Sequence, residues 1–339
     1  MSAICGLFFR QSQPFNIAML SSMMKRLAYR GIDGEAEWHH TSTGFGIQKL
    51  NITPESLNEV LPFYDLNHQL AIVADARIDN REELYQKLNI SVSSQTMSDS
   101  TLILRAYQKW GATCGEHLLG DFIIVIWDNK NKQLVFITDA LGVRSVYYYI
   151  NDQIVAFASE IKALLALPQV PRKPNLRKIA LINFLAEDSA ESYFEEIFSV
   201  PAATTMIVTE TKIQQHLYWQ PDPHKRIFLN SEADYIEQFQ TLFERAVRVR
   251  MRSVSPVASL LSGGLDSSAV STMAARMLGQ KNEMLHVFSV LKANEFAESC
   301  QDEQEYVDCF NNFPNMSHNI LNRNDLGPFN DMAQIVWTV

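Results

Sequence analysis

The chain has 339 residues, 47% hydrophobic and 20% charged, the size and make-up of an ordinary globular protein with room for two domains. Its net charge of −9 argues against a nucleic-acid binder held by phosphate neutralisation. The longest apolar run, FIIVIW, is far too short to cross a bilayer, and Arg10 cuts short any signal-peptide pattern, so a cytoplasmic protein with no membrane and no nucleic-acid partner is expected.

The sequence opens MSAICGLFFR. AICGLFF has the length and composition of a strand, read as an edge strand, with Cys5 between an isoleucine and a glycine. Cysteine there is either a packing residue, since free thiols are among the most buried side chains, or a nucleophile close to an α-amino group. The four cysteines, Cys5, Cys114, Cys300 and Cys309, have no CxxC spacing and no disulfide-framework density.

Helices are expected from Ile17 to Tyr29, Arg81 to Leu88 and Thr101 to Trp110. Between and after them FGIQKLNI, QLAIVADARI, DFIIVIWD, KQLVFITDA, SVYYYI and QIVAFAS read as strands separated by turn residues. The economical architecture is an α+β domain of two antiparallel sheets layered between helices, assigned to residues 1–215.

YWQPDPHKRIF lacks periodicity and carries two prolines, so residues 216–229 read as a linker. A second domain is assigned to 230–339. It opens with a capping-box pattern, Ser231 and Asp234, followed by Tyr235, Ile236, Phe239, Leu242, Phe243, Ala246 and Val247 at helical spacing. Arg245, Arg248, Arg250 and Arg252 form the one basic cluster, either a solvated helix end or the neighbour of a phosphate site. The rhythm then becomes strand, loop, helix, strand, which is the start of a parallel α/β unit. The last residues, NDMAQIVWTV, stop in apolar sequence with no capping signal, and the chain reads as cut short.

LLSGGLDSS, Leu260 to Ser268, runs from an apolar strand into a helix. Gly263 and Gly264 permit tight curvature and close backbone approach, and loop amides with a helix N-terminus then converge on one place, a site for an anion. Serine hydroxyls add donors. The lysine of the Walker-A loop is absent.

SGGLDSS resembles the pyrophosphate loop of ATP pyrophosphatases, and the whole chain resembles the asparagine synthetase family, in which a class II glutamine amidotransferase domain of the N-terminal nucleophile hydrolase type precedes such a synthetase domain. YRGIDG, HLLGDFIIVIWD, TDALGVRSVYYY and FASEIKALL carry the resemblance in the right order. It implies ATP and Mg²⁺: a carboxylate, of aspartate or a peptide side chain, is adenylated, pyrophosphate leaves, and ammonia or an amine attacks. It also implies that the amides of Ser262, Gly263, Gly264, Leu265 and Asp266, with Ser267 and Ser268, hold the pyrophosphate. Asp266 would then hold the metal, and Leu261 and Val290 would flank adenine. Asp302 and Glu303 resemble an acidic pair after that strand, against a plain reading as solvated surface.

For glutamine, the resemblance puts Cys5 at the nucleophile position, with Lys49, Asp75, Ala76 and Asp99 at the substrate-binding positions. The pattern drifts. Four residues precede Cys5, so unless they are removed its nitrogen is an amide and not a base. The family's R-L-S-I reads KLNI here, where Lys49 keeps the charge without the bidentate fork. The family's N-G-E reads DAR, so the carboxylate of Asp75 would face a developing oxyanion. Losing one oxyanion donor costs ~2.7–4 kcal/mol. NITPESLNEVLPFYD and VADARIDNREEL resemble the branch containing lasso-peptide cyclases, which join a peptide's own amine to its side-chain carboxylate. The family's second loop and later lysine are absent, so a missing C-terminal region or a partner chain is expected to complete the synthetase site. The readings weighed are therefore a glutamine-hydrolysing amidoligase, a macrocyclase whose first domain is scaffold, and an inactive nucleotide-binding remnant.

Overall fold

The computed structural model describes residues 1–10, 14–91, 97–182, 190–291 and 304–322. It divides into two compact units, residues 1–225 and 226–339.

In the first unit, β1 (Ala3–Phe9), β2 (Glu35–His40) and β3 (Thr43–Gln48) belong to one sheet, and β4 (Phe63–Asp65), β5 (Leu70–Ile78), β6 (Gly120–Asp128) and β7 (Gln133–Thr138) to a second. β8 (Tyr147–Ile150), β9 (Ile154–Ala158) and β10 (Phe198–Ser199) return to the first sheet, and β11 (Thr204–Val208) and β12 (Ile213–Leu217) close the second. Strand order among the described residues is β10-β8-β9-β1-β3-β2 in one sheet and β12-β11-β7-β6-β5-β4 in the other, with every pairing antiparallel. β1 is therefore an interior strand, flanked by β3 and β9, and the edge position expected from the sequence is corrected. EAEWHH and the TTMIV–IQQHL hairpin are strands that the sequence reading passed over, because their polar residues break the apolar runs it relied on.

Alternation along β1 separates two cores. Ala3, Cys5, Leu7 and Phe9 pack with Leu20, Met23, Met24 and Leu27 of α1 (Ile17–Leu27). Ile4 and Phe8 pack between the sheets with Phe45, Trp127 and Phe136. α2 (Arg81–Lys87) and α3 (Asp99–Trp110) add Leu84, Ile103, Leu104 and Ala106 to the second core. α4 (Ile161–Leu164) joins α1, and α5 (Leu176–Ile182) follows it in the chain. Gly120 opens β6 at φ +153, where a Cβ would lie 1.9 Å from the Arg77 carbonyl oxygen, so no larger residue fits. The motifs YRGIDG and FASEIKALL meet: Arg30 donates to Glu160 at 2.8 Å and to the carbonyl oxygen of Ser2 at 2.9 Å.

The second unit begins with α6 (Glu232–Arg250), capped by Ser231 and Asp234 in the reciprocal pattern expected. β13 (Ala258–Leu260), α7 (Leu265–Gly279), β14 (Leu285–Leu291), α8 (Gln304–Asp308) and β15 (Met316–Asn322) follow. The three strands form a parallel sheet in the order β13-β14-β15. Leu261, Ala274, Ala275, Leu278, Leu285 and Val287 form its core.

Candidate functional site

Four of the five residues expected at the glutamine site meet at one small cavity. Lys49, Asp75, Ala76 and Asp99 line it, together with Ser2, Thr53, Ser56 and Glu59. The cavity measures about 30 Å³. One water needs ~10–15 Å³ of such space, so it has room for a water or two as it stands.

Its carboxylates face charged groups of the chain itself. Asp75, 8% exposed, lies 3.7 Å from Arg144 Nε. Burial raises its pKa above the usual carboxyl range, and the Arg144 charge opposes that rise. Asp99 caps no ligand either. One oxygen accepts from Arg81 Nη1 and the other from the backbone N–H of Ile78 at 3.0 Å. Arg81 is held in turn by Tyr85 and the Met97 carbonyl. The Ser2 hydroxyl is spent on Leu50, accepting its N–H at 3.0 Å.

Cys5 is not at the cavity. It is 1% exposed, and its Sγ lies over Gly46, where an added Cβ would meet it at 3.2 Å. Burial pushes the thiol far above its ordinary pKa, and Glu37 adds to the rise. Cys5 lies apart from that cavity for a physical reason. Strand alternation turns odd-numbered side chains of β1 under α1, whereas the cavity takes Ile47, Leu61 and Ala74 from the core between the sheets. Ser2, which the sequence reading missed, is the side chain at the start of β1 that does reach it. The signal was the unbroken run AICGLFF, which buries everything inside it. Nothing local announced Arg81 and Arg144, since their partners are distant in sequence.

In the second unit β13 delivers the chain through Leu261 into Ser262, Gly263 and Gly264, and α7 starts at Leu265. Gly263 has φ +83, a conformation that costs other residues ~1–2 kcal/mol. Ser267 Oγ ties the loop together, accepting from Ser262 N at 3.2 Å and donating to the Gly264 carbonyl at 3.2 Å. The Ser268 hydroxyl is buried and has no hydrogen-bond partner, a donor still to be satisfied. Asp266 stands exposed in the first turn of α7, Leu261 is buried and Val290 is 53% exposed. The basic cluster lies at the C-terminal end of α6, where Arg248 pairs with Glu244. Asp302 and Glu303 lie outside the described residues.

A family model described as "Glutamine amidotransferase domain" matches residues 1–219, and one described as "Asparagine synthase" matches residues 238–337. The chain belongs to the asparagine synthetase family. It is 30% identical over 293 residues to a putative glutamine-hydrolysing asparagine synthetase 2 of Methanocaldococcus jannaschii, covering 80% of this chain and 56% of that protein. Over 287 residues it is 28% identical to the amidase chry2 of Gibberella zeae, covering 81% and 41%. Over 309 residues it is 27% identical to the glutamine-hydrolysing asparagine synthetase 2 of Bacillus subtilis, covering 87% and 40%. The chain thus spans about half the length of the curated relatives it matches. No helix among the described residues is long and apolar enough to cross a membrane.

Proposed function

We propose that this chain serves an ATP-dependent amide-forming ligase whose amidotransferase-type domain is a scaffold and does not hydrolyse glutamine. A carboxylate is adenylated with release of pyrophosphate, and an amine carried by the substrate, as in a peptide that closes on itself, takes the place of ammonia. One observation carries the reading: at the glutamine position the Asp99 carboxylate is bonded to the chain's own Arg81 and Ile78 N–H, and the Asp75 carboxylate is buried 3.7 Å from Arg144. A glutamine site must leave such acceptors free, because an acceptor already satisfied gains nothing from a ligand.

The amides and hydroxyls from Ser262 to Ser268 hold the departing pyrophosphate, and Leu261 and Val290 flank adenine. No group of three or more metal-ligating side chains occurs among the described residues, which fits Mg²⁺, an ion that arrives on nucleotide phosphates and needs only one or two carboxylates from the protein. Asp266 would supply one, and the ion would neutralise charge on the leaving pyrophosphate.

The test uses this chain together with the C-terminal region or partner chain expected to complete its synthetase site, and supplies ATP, Mg²⁺, glutamine and a peptide bearing a free amine and an acidic side chain, each omitted in turn. The expected outcome is no glutamate at all, with AMP and pyrophosphate released only when the peptide is present. Glutamate release that is abolished by Cys5→Ala would restore the glutamine-hydrolysing reading.

A further inference from the structure

Behind the phosphate loop runs a chain of hydrogen bonds that the proposed chemistry does not use. Ser289, on β14, lies 2.6 Å from the carbonyl oxygen of Leu261 and 2.9 Å from Nε2 of His318 on β15. Nδ1 of the same ring lies 3.0 Å from Oδ1 of Asn311. Asn311 is oriented by donating to Asp308 at 3.0 Å, and Gln304 donates to the same oxygen at 2.7 Å.

A Ser–His–Asn order resembles a nucleophile with its base and orienting group, but burial rules that out here. Ser289 is 1% exposed, so no substrate reaches its oxygen. A carbonyl oxygen only accepts, so the single hydroxyl proton goes to Leu261 and the serine lone pairs turn to the imidazole.

Leu261 is the last residue before the loop, and both of its peptide groups are fixed. Its N–H donates to the Phe288 carbonyl at 2.9 Å, and its carbonyl accepts from Ser289. Beyond it the loop is open to solvent: Ser262, Gly264, Leu265 and Asp266 are exposed, and the Ser262–Ser267 contacts that brace them are exposed too. The buried anchor at Leu261 therefore sets where the loop amides begin. Amides held in place before the anion arrives bind it without a reorganisation cost.

We propose that Ser289 and His318 are positioning residues for the phosphate loop: the hydrogen bonds from His318 to Ser289 and from Ser289 to the Leu261 carbonyl hold the loop amides in their pyrophosphate-binding geometry. This rests on the reading of residues 262–268 as a pyrophosphate site. Neither residue touches the ligand; both act through Leu261.

The test titrates the 339-residue chain with inorganic pyrophosphate and Mg²⁺ by calorimetry, and follows the His318 ring nitrogens by NMR, assigned from the resonance lost in His318→Gln. Wild type should bind, with the His318 nitrogens moving on saturation. Ser289→Ala and His318→Gln should each weaken binding about tenfold, the worth of roughly one hydrogen bond. A residue that merely supported the fold would lower the unfolding midpoint and leave the ring signals indifferent to pyrophosphate. Should Ser289→Ala fail to fold, His318→Gln, on the partly exposed β15, and the wild-type shifts decide the matter. Unchanged affinity in the variants, or unmoved His318 signals in a saturated wild type, overturns the relay alone. A wild type that binds no pyrophosphate overturns the phosphate-site reading itself, and the relay with it.

Discussion

Asp99→Asn keeps the volume of a side chain that is 4% exposed and removes its charge. Asp99 accepts from Arg81 with one oxygen and from the Ile78 N–H with the other. An asparagine amide has one oxygen and one NH₂, so whichever way it turns, one donor faces another. Arg81, itself 7% exposed, is left with Glu55 at 3.9 Å as its nearest recorded counter-charge. Breaking a buried pair by removing one partner costs ~3–5 kcal/mol. Glu55 keeps part of the compensation, which puts the expected loss near the lower bound, about 3 kcal/mol, a large share of the ~5–15 kcal/mol of a typical domain. Urea unfolding followed by tryptophan fluorescence reads mainly the first unit, which contains four of the five tryptophans, Trp38, Trp110, Trp127 and Trp219. The expected result is a lower midpoint with an unchanged slope. A variant within about 0.5 kcal/mol of wild type would refute the commitment of Asp99 to the fold and return it to the pool of groups able to grip a ligand.

Three further outcomes are expected. A thiol reagent applied to the native chain labels Cys309, which is exposed, and spares Cys5 and Cys114, which are buried, the Cys114 pKa being pushed up to about 12 by burial; peptide mass mapping reads it, and native labelling of Cys5 would contradict its place under α1. Burial raises the Glu59 carboxyl above its ordinary range, partly offset by its bonds to Ser100. The folded state therefore holds that proton more tightly than the unfolded chain, and stability falls as pH rises from the unfolded value, about 4.3. Glu59→Gln keeps an acceptor for the Ser100 N–H and should be more stable than wild type near neutrality, the gap closing toward about pH 4; a gap independent of pH in urea titrations would count against it. Gly263→Ala forces a side chain into φ +83, at ~1–2 kcal/mol, so calorimetry should show Mg²⁺-pyrophosphate binding weakened by about tenfold or more with the unfolding of the first unit untouched.

The parts of the fold written in local pattern were legible. AICGLFF, FIIVIW and LVFIT carry continuous apolar runs because they are buried on both faces. Ser231 with Asp234 announces the start of α6 through an interaction three residues long. The strand, loop and helix from Ala258 to Gly279 were legible for the same reason, since strand, glycines, serines and helix are contiguous. The glutamine-type pocket was legible only as a list of positions. Lys49, Asp75, Ala76 and Asp99 do converge, but what each carboxylate does there depends on Arg81 and Arg144, which arrive from α2 and from the loop after β7. The surroundings of Cys5 were not legible from residue type alone, because strand parity sets them: one position decides which of two cores a side chain enters, and Cys5 enters the one beneath α1.

That parity bears on the choice between a glutaminase and a scaffold. A hydrolytic pocket needs a reactive atom at its surface, donors aimed at an oxyanion, and charged groups left unsatisfied until the substrate arrives. Here the Cys5 thiol is turned into a hydrophobic core, and the Asp75 carboxylate stands at the position for which the family resemblance implies a donor. The Asp99 carboxylate and the Arg81 guanidinium satisfy each other across α2 and α3. Each of these changes, taken alone, is one that a single substitution could relieve. Together they turn ligand-binding positions into cross-links between β5, the α2–α3 pair and the start of β1. Removing such a cross-link destabilises the domain before it alters any chemistry. On the proposed reading, the ordering of those two losses, stability first in the amidotransferase-type unit and anion affinity first at residues 262–268, is what would separate a scaffold from a site within this one chain.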